Sequence, residues 1–174
     1  MTPSRLLPLL LLATACVPPA LPPTDFDEVA VAEDARAASL ALVNAMNGHD
    51  PDTILGFYAL DADFTYVGCT HFMFGGDSFA TIIGGYHVSN RDVRYDMAVQ
   101  GVRILGPDIA VVSLKGTSSP DLALFTTRVL RRSGEGRWLV AWEHESWPGC
   151  PAPDAPHPGT APGDSASLDP GGAS

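Results

Sequence analysis

The chain reads as an α+β protein, and three observations predict it. Apolar residues recur at three- and four-residue intervals near the start, a short alternating segment follows, and four longer alternating stretches come last, joined by turn-forming residues. Helices gathered ahead of an antiparallel meander mark α+β architecture, because in α/β chains the two element types alternate.

The elements follow in order. In "DEVAVAEDARAASLALVNAMNGHD" the side chains of Ala35, Ala38, Leu42, Ala45 and Met46 form one apolar stripe on a helix that ends near Asn47 and Gly48. Asp50 is placed to cap and Pro51 to open a second short helix running to about Tyr58, so the two make a tight hairpin. "DADFTYVG" alternates polar and apolar residues up to Gly68 and reads as a short strand. "CTHFMFGGDSFATIIGGYH" reads as a loop and then a third helix, capped by Asp77 and broken near Gly84 and Gly85. Beyond Asn90 the strands are "DVRYDMAVQGVRIL", "DIAVVSLKGT", "LALFTTRVLRR" and "RWLVAWEHESW", joined at "GPD", "SSPD" and "SGEG".

Size and charge bound the function. The 174 residues fit one domain with tails, and 45% hydrophobic content is enough for a core. A formal charge of -10 repels nucleic acid and anionic lipid head groups, so no nucleic-acid partner is expected.

Both ends differ from the middle. "MTPSRLLPLLLLATAC" has Arg5, an apolar run from Leu6 to Ala13 and small residues before Cys16, the layout of an export signal over 1–15. The run is about half the roughly 20 residues a membrane-spanning helix needs. Two processing routes stand. "LATAC" resembles the lipobox of bacterial lipoproteins, which would make Cys16 the acylated first residue, holding the protein to a membrane by a lipid anchor; Ala13 and Ala15 also fit an ordinary A-x-A cleavage site and a secreted product. The Pro-rich stretch 16–26 suits a tether and favours the anchor. At the other end, 151–174 is dominated by Pro, Gly, Ala, Ser and Asp, is expected to be disordered, and carries His157 as a solvated residue. The folded domain is therefore expected over 27–150.

Three cysteines in an exported chain leave one over unless one has another fate. Lipidation of Cys16 leaves Cys69 and Cys150, which either pair in an oxidising compartment or stand as two loop thiols.

Several phrases together carry a family resemblance. "NGHDPDTILGFYALDADF", "LGPDIAVV" and "RVLRRSGEGRWLVAWEHESW" are similar to the helix–turn–helix, strand entry and closing "W-x-I…H-x-S" hairpin of the nuclear transport factor 2-like superfamily, in its polyketide-cyclase-like (SnoaL-like) branch. The resemblance spans essentially the whole domain. It implies a curved sheet wrapped into a cone around the helix hairpin and third helix, with a pocket between them. It also implies that the first strand lies beside the last and parallel to it, which would bring Cys69 near Cys150, and that the convex sheet face can make a homodimer.

Strict alternation in the last strand places Trp138, Val140, Trp142, His144 and Ser146 on one face and Arg137, Leu139, Ala141, Glu143, Glu145 and Trp147 on the other. The first set is the more apolar and holds the residues matching the family's "H-x-S" positions, so it is expected inside. His144 is then the proton-transfer residue, or else a structural histidine bonded to Ser146 or a backbone group. Tyr58, Tyr66 and Tyr86 are the other pocket residues. Asp61 suits a turn. Asp63 would pair with His144 if it pointed inward, and would be solvated if Phe64 and Tyr66 did so instead. The histidines are dispersed and no phosphate loop or nucleophile elbow is present, so no metal and no cofactor is expected.

Three functions fit: an exported, lipid-anchored module that binds a small, largely apolar molecule in its cone; an isomerase, cyclase or dehydratase using His144; or an envelope interaction protein whose cone is filled by its own side chains. The first is preferred. Phe72, Met73 and Phe74 would serve as a pocket lid or a docking tip.

Overall fold

The structure is a computed structural model that describes residues 25–69, 71–119 and 121–150. The export signal, Cys16, the tether up to residue 24 and the tail with His157 lie outside the described residues.

Helix α1 (Glu28–Gly48) starts where the Asp27 carboxylate accepts the Val29 and Ala30 N–H groups at 3.0 and 3.1 Å. Its buried face is Val31, Ala35, Ser39, Leu42, Val43 and Met46, so the apolar stripe lies slightly round from the one expected, with Ala38 and Ala45 at its flank. The helix ends at His49, whose left-handed φ of 55° turns its N–H back to the Met46 carbonyl. Asn47 then ties α1 to the far sheet edge, donating to the Tyr95 carbonyl at 2.9 Å and accepting its N–H at 2.7 Å.

Helix α2 (Pro51–Leu55) is capped by Asp50 as expected but stops before Tyr58. The chain leaves the helix there because it pairs with the sheet: the Val140 N–H donates to the Phe57 carbonyl and the Ala59 N–H to the Val140 carbonyl. Strand β1 (Thr65–Val67) follows, and β2 (Phe72–Phe74) lies antiparallel to it, within the stretch expected to be a loop. Three residues next to glycines are too few to show a period, and β2 exists because β1 offers it a ladder. Helix α3 (Gly76–Ser89) begins at Gly75 with no side-chain cap, so Asp77 sits in the first turn instead of capping. Gly84 and Gly85 stay inside the helix, which is held down on either side of them by the buried side chains of Phe79 and His87.

Strands β3 (Tyr95–Gly106), β4 (Ile109–Ser118), β5 (Leu122–Arg132) and β6 (Trp138–Ser146) complete one mixed sheet in the order β2-β1-β6-β5-β4-β3. The β1–β6 pair is parallel and the others are antiparallel. The sheet is not closed on itself, and the core fills the space between its inner face and the helices.

One irregularity in β6 overturns strict alternation. Val129 pairs with Trp142 and Leu130 with Val140, which leaves Ala141 as an extra residue in a β-bulge. Before the bulge Trp138 and Val140 point inward and are buried; after it Glu143 points inward and is buried, with Glu145 on the same side. Trp142, His144 and Ser146 are thereby turned to the outer face, opposite Val129, Thr127 and Phe125.

The parallel strands β1 and β6 end side by side, and Cys69 and Cys150 just beyond them are joined in a disulfide with Cα atoms 5.2 Å apart. The bridge closes a loop of 81 residues. Loop-closure entropy for that length is worth about 4 kcal/mol. Replacing both cysteines by serine is expected to lower the unfolding free energy by up to about that amount in denaturant titrations, and a loss under about 1 kcal/mol would mean that the pocket end of the sheet is held by packing alone.

Candidate functional site

Between α3, the end of α1, α2 and the inner sheet lies a cavity of about 430 Å³. Its apolar wall is set by an aromatic cluster around Phe79, whose ring lies 4.7 Å from that of Tyr58, 4.8 Å from Phe64 and 5.3 Å from Tyr66. Tyr86 and Tyr95, Met73, Ile83, Leu124 and Trp147 continue it. Tyr58, Tyr66 and Tyr86 line the cavity. A more open cleft of about 490 Å³ beside the β5–β6 hairpin is lined by both acidic and basic side chains, and Arg132 there is already paired with Asp34 at 3.0 Å.

The polar end of the cavity is built by β5 and β6. Arg128 and Glu143 face each other in register across the ladder, both almost without exposure, with Nε and Oε2 3.2 Å apart. The guanidinium also donates to the Ser39 carbonyl of α1 at 3.1 Å, and the Tyr58 hydroxyl donates to Glu143 Oε2 at 3.1 Å. Two residues on, Glu145 accepts the Tyr66 hydroxyl at 2.8 Å and is hydrogen-bonded to Glu143. Part of its surface remains open, and that part lines the cavity.

Electrostatics follow from this placement. Loss of water, then repulsion from Glu143, pushes the Glu145 carboxyl up to about 8, with the Tyr66 hydrogen bond and Arg128 opposing. The Glu145 carboxyl is thereby held toward its protonated form around neutral pH, hydrogen-bonded to Glu143. Burial, then the nearby glutamates, raises Tyr66, and burial followed by the bond to Tyr86 raises Tyr95. Burial works against the charge on Arg128, but Glu143 and its neighbours outweigh it and keep the guanidinium protonated. His87 on α3 is almost fully buried and lowered to about 4, first by burial and then by His49, whose ring is 5.7 Å away. Among the described residues no group of three or more His, Cys, Asp or Glu is placed to hold a metal ion.

The remaining expected residues lie elsewhere. Trp142 and His144 stand on the outer face with ring centroids 6.2 Å apart, and Ser146 follows them there. Asp63 is exposed in the turn before β1, where its N–H donates to Asp61; buried Phe64 and cavity-lining Tyr66 take the inward positions, so Asp63 and His144 are not brought together. Asp61 closes that turn and pairs with Arg131. Trp147, expected outside, lines the cavity. The unexpected members are Glu143, Glu145, Arg128, Tyr95 and His87. Arg128 gave one readable signal, because an arginine among Thr126, Leu124 and Leu130 on the apolar side of a strand requires a buried carboxylate opposite.

An open, curved sheet with a parallel first strand, enclosing three helices and a one-sided pocket, defines a cone fold. Solved structures share it. An NTF2-like protein of unknown function from Pseudomonas putida KT2440 aligns at 20% identity over 68% of this chain and 87% of its own, with a TM-score of 0.60. A ketosteroid isomerase-like protein from Erwinia carotovora atroseptica SCRI1043 aligns at 26% identity over 70% and 98%, with a TM-score of 0.52. A cystatin-like fold protein from Burkholderia xenovorans LB400 aligns at 17% identity over 69% and 93%, with a TM-score of 0.57. The chain has the nuclear transport factor 2-like fold. No protein-family model and no curated protein matches the sequence.

Two consequences can be measured. Arg128→Met leaves Glu143 buried without its cation and is expected to cost about 3–5 kcal/mol in unfolding free energy. Adding Glu143→Gln should recover much of that, and a double variant no better than the single one would show that the pair is not coupled. The second concerns pH. Between about 6.5 and 8 the folded protein keeps the Glu145 proton that the unfolded chain, with an ordinary value of 4.5, has released, so stability falls as pH rises through that window. Below 6.5 the lowered His87 opposes this slope, since the unfolded chain gains a proton there that the folded one does not take until about 4. Glu145→Gln should flatten the loss between 6.5 and 8 in denaturant titrations across pH; an unchanged slope would place the proton elsewhere.

Proposed function

We propose that this domain binds a small, largely apolar molecule in its cone. The observation that carries this reading is the cavity itself: about 430 Å³ walled by aromatic and aliphatic side chains and ending on a carboxyl pair held away from bulk water. The cone is not filled by its own side chains, which counts against a purely structural interaction protein. Native mass spectrometry and solvent extraction of the full chain, expressed in an oxidising compartment, test the proposal. A retained apolar molecule that is lost when Phe79 is replaced by tryptophan is expected; an empty protein indifferent to apolar ligands in thermal shift would refute it.

One observation favours a second reading, an enzyme of the isomerase, cyclase or dehydratase type. A carboxyl group at about 8 beside tyrosine hydroxyls can give and take a proton near neutral pH, so Glu145 replaces His144 as the proton-transfer residue. Turnover of any ligand extracted from the protein, abolished in Glu145→Gln and retained in His144→Ala, would distinguish catalysis from storage.

The setting is also part of the proposal. Export with an acylated Cys16 is supported by the "LATAC" phrase and suits the Cys69–Cys150 bridge, which needs an oxidising compartment. The outer sheet face, with Phe125, Val129, Trp142 and His144, is the proposed homodimer surface. The mass of the mature protein from membranes and its sedimentation in detergent check both: a diacylated Cys16 and a dimer are expected, and a soluble monomer cleaved at Ala15 would refute both.

A further inference from the structure

The cone has an imbalance of hydrogen-bonding groups. The Tyr58 proton is given to Glu143 and the Tyr66 proton to Glu145, while Tyr86 and Tyr95 bond one another. The Glu145 carboxyl, when protonated, is hydrogen-bonded to Glu143. What the polar end still offers to the cavity is acceptor oxygen. Once Glu145 gives up its proton, charge is unbalanced in the same direction, because Arg128 lies behind Glu143 and is matched by it, whereas among the described residues Glu145 has no salt-bridge partner. Among the described residues no lysine or arginine lines the cavity. The walls are ring faces, whose negative quadrupoles attract cations and repel anions.

We propose that the apolar molecule held in the cone carries a positively charged nitrogen, which sits at the Glu145 carboxylate within the aromatic wall. This inference rests on the pocket-binding proposal and names its ligand class: hydrophobic amines or quaternary ammonium compounds, with fatty acids and other apolar anions excluded. On binding, the cation takes the place of the Glu145 proton, and that proton goes to solvent. The groups facing the pair are Arg128 from β5, Tyr58 from the segment after α2 and Tyr66 from β1. Farther round the cavity stand Tyr86 and His87 on α3, Tyr95 on β3 and His71 before β2. His87 stays neutral until about pH 4, so it adds no competing charge over the range in which Glu145 loses its proton.

The test uses the full-length, disulfide-bonded protein and three probes of similar size: benzyltrimethylammonium, whose charge does not change with pH, benzyl alcohol and benzoate. Binding is followed through the methyl signals of Met73 and Ile83, which line the cavity. The ammonium probe is expected to bind best, with affinity rising toward about tenfold per pH unit and levelling near 8, as Glu145 empties. Benzoate should not bind. Glu145→Gln should remove the pH dependence and weaken the ammonium probe at least tenfold, and the wild-type pH series stands alone if that variant does not fold. Benzyl alcohol binding as tightly as the cation, or a cation affinity flat with pH, would overturn the inference and leave the pocket proposal intact. No probe perturbing the cavity signals at any pH would overturn both.

Discussion

Arg128 and Glu143 meet across the β5–β6 ladder at 3.2 Å, out of contact with water. An ion pair so placed loses several kcal/mol of hydration per charge and persists only where other hydrogen bonds complete both groups. Here the Ser39 carbonyl takes up the guanidinium from the helix side and the Tyr58 hydroxyl completes the carboxylate from the other. Three elements are thereby tied to one point: α1 through Ser39, the segment after α2 through Tyr58, and the sheet through the pair. The cavity is what remains beside that knot.

The pair in turn governs Glu145. With its own cation taken by Glu143, the second carboxyl faces a negative neighbour in an apolar setting, so it keeps a proton that an exposed glutamate would have lost. Had the two residues stood on opposite faces, neither effect would exist. The bulge at Ala141 puts both on the inner side, and it does so within a strand whose other end packs Trp138 and Val140 into the core. A single inserted residue lets one strand serve as hydrophobic wall at one end and as acidic floor at the other.

Much of the fold was legible because it rests on periodicity and turn chemistry. The α1 stripe, the Asp50 cap, the four long strands and their three turns are all local signals. β2 was not, because three residues at a sheet edge owe their conformation to a partner strand. The unbroken α3 was missed for a related reason: glycines weaken an isolated helix, and burial of Phe79 and His87 overrides them. The site failed in one specific way. Strict alternation through "WLVAWEHES" gives the correct face for Trp138 and Val140 and the wrong one for everything after Ala141, and nothing in those letters marks a bulge. The tyrosines on α3, on β1 and after α2 were untouched by that error, and they do line the cavity.

The parallel pairing of β1 with β6 joins residues 65–67 to residues 142–144. A strand of three residues cannot hold its place until its neighbour exists, and β2 depends on β1 in turn. The wall of the cone that carries Tyr66 and Met73 must therefore wait for residues 142–144 to take their place in the sheet, while β3, β4 and β5 can already pair as a meander of short connections. The acidic floor and the wall facing it are thus assembled together, at the end of folding, and the sulfurs of Cys69 and Cys150 come within reach of each other only after that step.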